Sequence, residues 1–273
     1  MDKFKSLIVT FPPEEIFEKR ESVKYGKFKR YTYHSTITGK EAPVNVMLPP
    51  NYSEDKKYPV LYALHGYYND QDWITRDIGC IDVMLSNLYA DGDAKEMIVV
   101  SPYIFCTKED RLCTEMSLEN SLCYDNFINE LLADLMPFIE SSFSVATGRE
   151  NTAITGFSMG GKESLFTGFT HPELFGYIGA ACPAPGLVPV ADSLDQHPGQ
   201  LREEQLKFED NPPYLLLISY SDDDLSVTTF PASYCSIMDK NDTKHLVHHM
   251  TDTGHDHTSV RPHFYNLCRM IFN

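Results

Sequence analysis

The chain has 273 residues, 42% hydrophobic and 12% aromatic, with ordinary glycine and proline content, a composition able to bury a large core. Its formal net charge of −16 argues against nucleic acid and against an anionic membrane surface, because like charge repels phosphate, and favours a neutral substrate. No run of about 18 apolar residues occurs, so nothing is expected to span a membrane. The segment from Met1 to Phe11 lacks the apolar core and cleavage site of a signal peptide, which leaves a cytoplasmic protein, or one whose signal has been removed.

In chain order, Lys27 to Thr36 and Val44 to Leu48 alternate apolar and polar side chains and predict antiparallel strands at a sheet edge. Pro49-Pro50-Asn51 ends the second. Tyr58 to Leu64 is a nearly continuous apolar run stopping at His65-Gly66, as expected of a strand buried on both faces. A helix around Ile81 to Tyr89 and a second buried strand over Glu96 to Ser101 follow, extending the sheet in parallel through a right-handed crossover. From Ser121 to Ser142, apolar residues at helical spacing mark one face of a long helix that Pro137 should kink. Thr152 to Thr155 is a short strand and Met159 to Thr170 the helix after it. Further strands are expected at Tyr177 to Ala181, Tyr214 to Ser219 and His245 to Met250, with helices near Val227 to Met238 and Pro262 to Ile271. Residues 182–213 carry Pro, Gly and many polar positions with little periodicity, and predict an excursion over the top of the sheet. Strand and helix patterns alternate from end to end without a linker or repeat, so 1–273 is expected to be a single α/β domain with a mostly parallel sheet and helices on both faces.

The seven cysteines include no Cys-x-x-Cys pair, which disfavours a zinc ribbon or finger. Cys106, Cys113 and Cys123 lie close enough in sequence for one disulfide, but free thiols packed as small hydrophobes are expected.

Between the strand at 152–155 and the helix at 159–170 stands Gly156-Phe-Ser158-Met-Gly160. Glycines on either side of a serine permit a sharp strand-to-helix turn that projects the hydroxyl from a strained backbone, with the helix N-terminus behind it. A small-residue packing turn is the bland alternative. A serine hydroxyl is a weak nucleophile at neutral pH and needs a histidine base held by a carboxylate. His255, in Thr251-Asp-Thr-Gly254-His255-Asp-His257 after the last strand, is the expected base, with Gly254 letting the loop approach. His257 is expected to start the last helix, and His248 and His249 to sit in the strand. The acid should end the preceding strand, where Asp222-Asp223-Asp224 compete; Asp223 is the expected partner and Asp224 the next candidate. Backbone N–H groups of Met159 and Tyr67 are the expected oxyanion donors, and Tyr68 and Trp73 the residues placed to stack on substrate, although Trp73 has a packing role open to it too. His65 is expected to be structural.

Several segments together resemble the esterase D-type α/β-hydrolase family of feruloyl esterases, acetyl xylan esterases and mycolyltransferases (carbohydrate esterase family 1): Leu48-Pro-Pro-Asn-Tyr52, Lys57 through Gly66, Trp73, Met97-Ile-Val-Val-Ser-Pro102, Gly156 through Gly161 and Gly254-His255-Asp256. The resemblance implies an α/β-hydrolase fold, a Ser158–Asp223–His255 triad, no metal or organic cofactor, and cleavage of ferulate from arabinoxylan or a soluble feruloylated or acetylated oligosaccharide. Acetyl xylan esterase, general carboxylesterase and acyltransferase activities are the alternatives within the family; a non-catalytic carbohydrate-binding protein is the alternative outside it. Two departures stand out. Tyr67-Tyr68-Asn69 replaces the family's glycines after His65-Gly66, implying a narrower or more aromatic acyl pocket, and Tyr220-Ser-Asp-Asp223 lacks the family's glycine near the acid.

Overall fold

The computed structural model describes residues 2–76, 78, 80–189 and 196–273. Among the described residues eight strands form one sheet: β1 (Phe28–Ser35), β2 (Lys40–Met47), β3 (Val60–Leu64), β4 (Ile98–Pro102), β5 (Thr152–Gly156), β6 (Tyr177–Ala181), β7 (Leu215–Ser221) and β8 (Leu246–Met250). Their spatial order is β1-β2-β4-β3-β5-β6-β7-β8. The β1–β2 and β2–β4 pairs are antiparallel and every pair from β4 to β8 is parallel. This is the antiparallel edge and growing parallel sheet that the alternating and continuous apolar runs predict.

The continuous runs arise because both faces of the central strands are covered. Along β3 every residue is buried, with Val60, Tyr62 and Leu64 joining one core and Leu61 and Ala63 the other. At the far edge β8 alternates: Leu246, His248 and Met250 are buried while Val247 and His249 face outward. Thus one of the neighbouring histidines leaves the sheet face, and His248 is held inside by Thr10 O at 3.0 Å.

The main helices among the described residues are α1 (Ile81–Asp91), α2 (Leu118–Asp125), α3 (Met136–Ser142), α4 (Met159–Thr170), α5 (Phe230–Lys240) and α6 (His257–Met270). The single long helix expected over 121–142 is in fact broken. Ser117 caps α2 by accepting from Asn120 N at 3.2 Å, a short helical turn follows at Phe127–Glu130, and a π turn over Leu131–Leu135 leads into α3. Pro137 follows directly on the helical Leu135 and Met136, and the π turn, with Met136 N–H donating to Leu131 O, takes up the change of pitch around its missing N–H. Of the 182–213 excursion, residues 190–195 lie outside the described residues; the rest contains no strand and one 3₁₀ turn, Glu203–Gln205. All seven cysteines are free. Among the described residues no helix is long and apolar enough to cross a membrane.

Candidate active site

β3 and β5 lie side by side in parallel, with Leu64 opposite Gly156, and the chain leaves them toward β4 on one side and β6 on the other. A crevice therefore opens beyond the carboxyl ends of these strands, where connections depart in opposite directions. Ser158 stands at that point, between β5 and α4.

Its backbone has φ 56° and ψ −116°, a conformation costing on the order of 1–3 kcal/mol in a residue with a side chain. The turn is held by backbone bonds: Ser158 N–H donates to Ala181 O at 2.9 Å, and Ser158 O accepts from Lys162 N at 3.0 Å and Ala184 N at 2.9 Å. Glycines are required for the close approach. A Cβ on Gly156 would lie 2.3 Å from Gly160 C, and one on Gly160 would lie 2.3 Å from Leu64 O. Gly66 brings the loop after β3 against Ser158, since a Cβ there would meet the serine Cβ at 3.2 Å. Met159 begins α4, and its N–H has no hydrogen-bond acceptor among the described residues, so it faces the crevice with the positive end of the helix.

His255 follows β8, its Nδ1 2.7 Å from Asp224 Oδ2. The acid beside the histidine is thus Asp224, and the expectation of Asp223 is corrected. Each of the three consecutive aspartates has its own task. Asp222 Oδ2 lies 2.9 Å from His249 Nε2 at the surface, while Asp223 Oδ2 accepts from Asp252 N at 2.6 Å and ties the β7 and β8 loops together. Asp224 turns inward: its N–H donates to Ser221 O at 3.4 Å, its Oδ1 accepts from Ser226 N at 3.0 Å, and its side chain is fully buried. Burial alone would raise its pKa, but the His255 hydrogen bond, the histidine's charge and the Ser226 N–H outweigh it and hold the carboxyl below its usual range. Gly254, expected to let this loop approach, is not needed for space; a Cβ there meets nothing closer than Asp256 Oδ2 at 3.5 Å. His257 opens α6, which Asp256 caps by accepting from Thr258 N at 2.8 Å.

Ser158 and His255 line one cavity of about 260 Å³ with Gly66, Tyr67, Tyr68, Asn69, Met116, Phe157, Met159, Ala184, Pro185, Ser226 and Val227. Its walls are largely apolar and aromatic. Tyr68 reaches the mouth with half its surface exposed, and Tyr67 packs on Tyr124 at 4.8 Å between ring centroids. Met116, Ala184, Pro185 and Ser226 escape sequence reasoning because they come from non-periodic segments, and Val227 because it reads as the start of a helix; only Ser226 and Val227 carried a signal, their nearness to the acidic run.

Trp73 does not reach the cleft. It is 1% exposed, its Nε1 donates to Ser101 Oγ at 3.0 Å, and it stacks on Phe157 at 6.5 Å, so its place is beneath the serine turn, and the substrate-stacking expectation is corrected. His65 is structural: Nδ1 lies 2.7 Å from Gly66 O, Nε2 accepts from Ile104 N at 3.0 Å, and burial pushes its pKa down to about 4.

Behind the serine turn, Lys162 is wholly buried on α4, 2.7 Å from Asp125 Oδ1 and 3.1 Å from Glu163 Oε1. His197 Nε2 lies 2.8 Å from Asp125 Oδ2 and Gln200 Nε2 donates to Glu163 Oε2 at 2.8 Å, so the described part of the excursion is tied to α2 and α4 through buried charge. Nothing in the sequence pattern announced this cluster.

The mostly parallel sheet, the strained serine between β5 and α4, and a buried carboxylate after β7 bonded to the histidine after β8 define an α/β-hydrolase. Residues 35–229 match the model of the Esterase family, and the chain belongs to that family. It is similar to the solved ferulic acid esterase of the anaerobic fungus Anaeromyces mucronatus in complex with ferulic acid: 38% identity, TM-score 0.93, with 97% of each chain covered. It is also 30% identical over 172 residues to an endo-1,4-beta-xylanase/feruloyl esterase of Xylanibacter ruminicola, and 28% identical over 171 residues to endo-1,4-beta-xylanase Y of Acetivibrio thermocellus. These matches take in 61% and 59% of this chain but only 23% and 14% of the two relatives' own lengths.

Proposed function

We propose that the chain is a serine carboxylic ester hydrolase that releases ferulate, or a related hydroxycinnamate, from a feruloylated plant cell-wall oligosaccharide. The observation that carries the reading is the apolar, aromatic-walled cavity of about 260 Å³ opening directly on Ser158 and His255. An apolar wall suits a planar aromatic acyl group, and the neutral sugar esterified to it suits a chain of formal charge −16. Likeness over nearly the whole chain to a ferulic acid esterase solved with ferulic acid supports the same substrate.

In this reading His255 Nε2 removes the Ser158 Oγ proton as Oγ attacks the ester carbonyl, and Asp224 holds Nδ1–H and stabilises the imidazolium. The oxyanion is received by the N–H groups of Met159 and Tyr67. Collapse expels the sugar alkoxide, which takes the proton from His255; water activated by the same histidine then attacks the acyl-enzyme, releasing the acid and restoring the serine. Tyr68 and Met116 border the acyl site. Residues 1–273 act as one catalytic domain in this proposal.

Fluorophosphonate labelling with peptide mapping tests the nucleophile, and an adduct on Ser158 of the folded protein is expected. Release of ferulate from methyl ferulate, compared with acetate from acetylated xylan, tests the substrate. Faster acetate release overturns the hydroxycinnamate assignment, and absence of the Ser158 adduct overturns the hydrolase reading.

A further inference from the structure

The two halves of an ester must leave Ser158 in different directions. One nitrogen, His255 Nε2, takes the Ser158 Oγ proton and then gives it to the departing sugar oxygen, so the sugar leaves on the histidine side and the acyl group stays toward Tyr68 and Met116. On the histidine side the wall of the catalytic cavity is Ser226, whose N–H donates at 3.0 Å to Asp224, the same carboxylate that lies against His255.

A second groove, of about 600 Å³, begins at that wall, and Pro185 and Ser226 line both spaces. It runs from the turn after β7 over the first turns of α5 and mixes apolar faces with hydroxyls. Leu225 and Phe230 supply carbon surface, and Leu225, at 85% exposure, stands further into solvent than any other large hydrophobic residue among those described. Thr228, Thr229 and Ser233 supply hydroxyls. Those of Thr228 and Thr229 bond to nothing among the described residues, while Ser233 Oγ donates to Phe230 O at 2.7 Å and keeps its acceptor capacity. Glu203 is the one charged residue on the described lining, a carboxylate that accepts from hydroxyls and repels anions. A sugar ring matches this surface, since it presents C–H faces and a rim of neutral hydroxyls. The groove on the β1–β2 side of the molecule, lined by Lys40, Asp70, Tyr103 and Arg111, shares no lining residue with the catalytic cavity.

We propose that the groove beyond Ser226 is the sugar subsite, in which Leu225 lies on a ring face and Thr228, Thr229 and Glu203 bond ring hydroxyls of the oligosaccharide that carries the ester. This assignment rests on the proposed ester hydrolase function. A methyl ester has no group to fill the groove, so the subsite is felt only by substrates that carry the sugar.

The experiment compares wild type, Thr229→Trp, which fills the groove, and Leu225→Ser, which removes its most exposed apolar face. Both side chains are exposed and neither lines the catalytic cavity. With a feruloylated arabinoxylo-oligosaccharide, KM is expected to rise roughly five- to tenfold in each variant at nearly constant kcat, whereas kcat/KM for methyl ferulate stays within about twofold. Equal losses on both esters put the acyl group in the groove, and an unchanged KM for the oligosaccharide leaves no sugar there; either result overturns the proposal. A second readout is independent of turnover: saturation-transfer NMR with the same oligosaccharide lacking ferulate should show contact in wild type and its loss in Thr229→Trp. Wild-type protein that neither hydrolyses esters nor labels at Ser158 refutes the hydrolase reading instead. The NMR measurement then still decides the groove, because absence of transfer in wild type, or transfer unaltered in Thr229→Trp, rejects a sugar subsite.

Discussion

Replacing Asp224 by Asn, against Asp223→Ala and Asp222→Ala, separates the roles of three adjacent carboxylates. Asparagine is nearly isosteric, so the fold is kept while charge and one acceptor are lost. Oδ1 of Asp224 accepts from Ser226 N at 3.0 Å and Oδ2 faces His255 Nδ1 at 2.7 Å. An Asn amide has one oxygen, and turning its NH₂ toward Ser226 would oppose two donors. Facing the NH₂ to His255 obliges Nδ1 to accept and moves the ring proton to Nε2, where it blocks removal of the Ser158 proton. Loss of the corresponding charge in a serine protease lowers kcat about 10⁴-fold. A fall of about 10³ to 10⁴-fold is expected here, equivalent to roughly 4–5.5 kcal/mol of barrier. Asp223→Ala removes only the 2.6 Å bond to Asp252 N between two loops, and Asp222→Ala a surface contact to His249; each should cost less than about tenfold. The assay is kcat/KM for methyl ferulate near neutral pH, with circular dichroism melting to verify folding. If Asp224→Asn keeps more than a tenth of the activity while Asp223→Ala loses it, the assignment drawn from the geometry is wrong.

Lys162→Met places an apolar side chain of similar length in a fully buried site and leaves Glu163 and Asp125 without their shared cation. Breaking such a pair costs about 3–5 kcal/mol, which denaturant unfolding would register, and a loss below about 1 kcal/mol would refute a structural role for the cluster. Glu163 gives the cluster a pH dependence. Burial raises its pKa to about 7 from 4.5, against the pull of Lys162. The folded state therefore holds this proton more tightly than the unfolded chain, and the associated stability is fully present below about pH 4.5 and lost as pH rises through 7. Glu163→Gln removes that titration, so its melting temperature relative to wild type should climb by roughly 2–4 °C between pH 5 and pH 7.5; a flat difference across that range would contradict it.

Much of this molecule is determined locally. Two-sided burial forces the continuous apolar run of Tyr58 to Leu64, and a half-covered edge forces alternation in Lys27 to Thr36, so strand type and sheet position are legible from pattern alone. The serine turn is legible for a related reason: clearances of 2.3 Å at Gly156 and Gly160 admit no other residue, and a steric requirement of that kind leaves its mark in the sequence. The position of His255, beside Asp224 in the cavity of Ser158, is legible because the loop after the last strand ends at the same edge of the sheet.

What tertiary structure alone decided is which way side chains in irregular segments point. Asp222, Asp223 and Asp224 are chemically identical, and only the turn after β7, bonded to Ser221, sends the third inward and the others to His249 and Asp252. Trp73 resembles a ligand platform by composition, yet the short helix that carries it lies under the serine turn, where burial of an indole outweighs exposure and Ser101 satisfies its N–H. Lys162 carries no signal in the sequence; only the fold brings Asp125 against it beside Glu163, with His197 bonded to the first carboxylate and Gln200 to the second. Steric and periodic constraints act between near neighbours and are written into sequence; the pairing of buried polar groups is settled by long-range packing, and it is this packing that completed the site around Ser158.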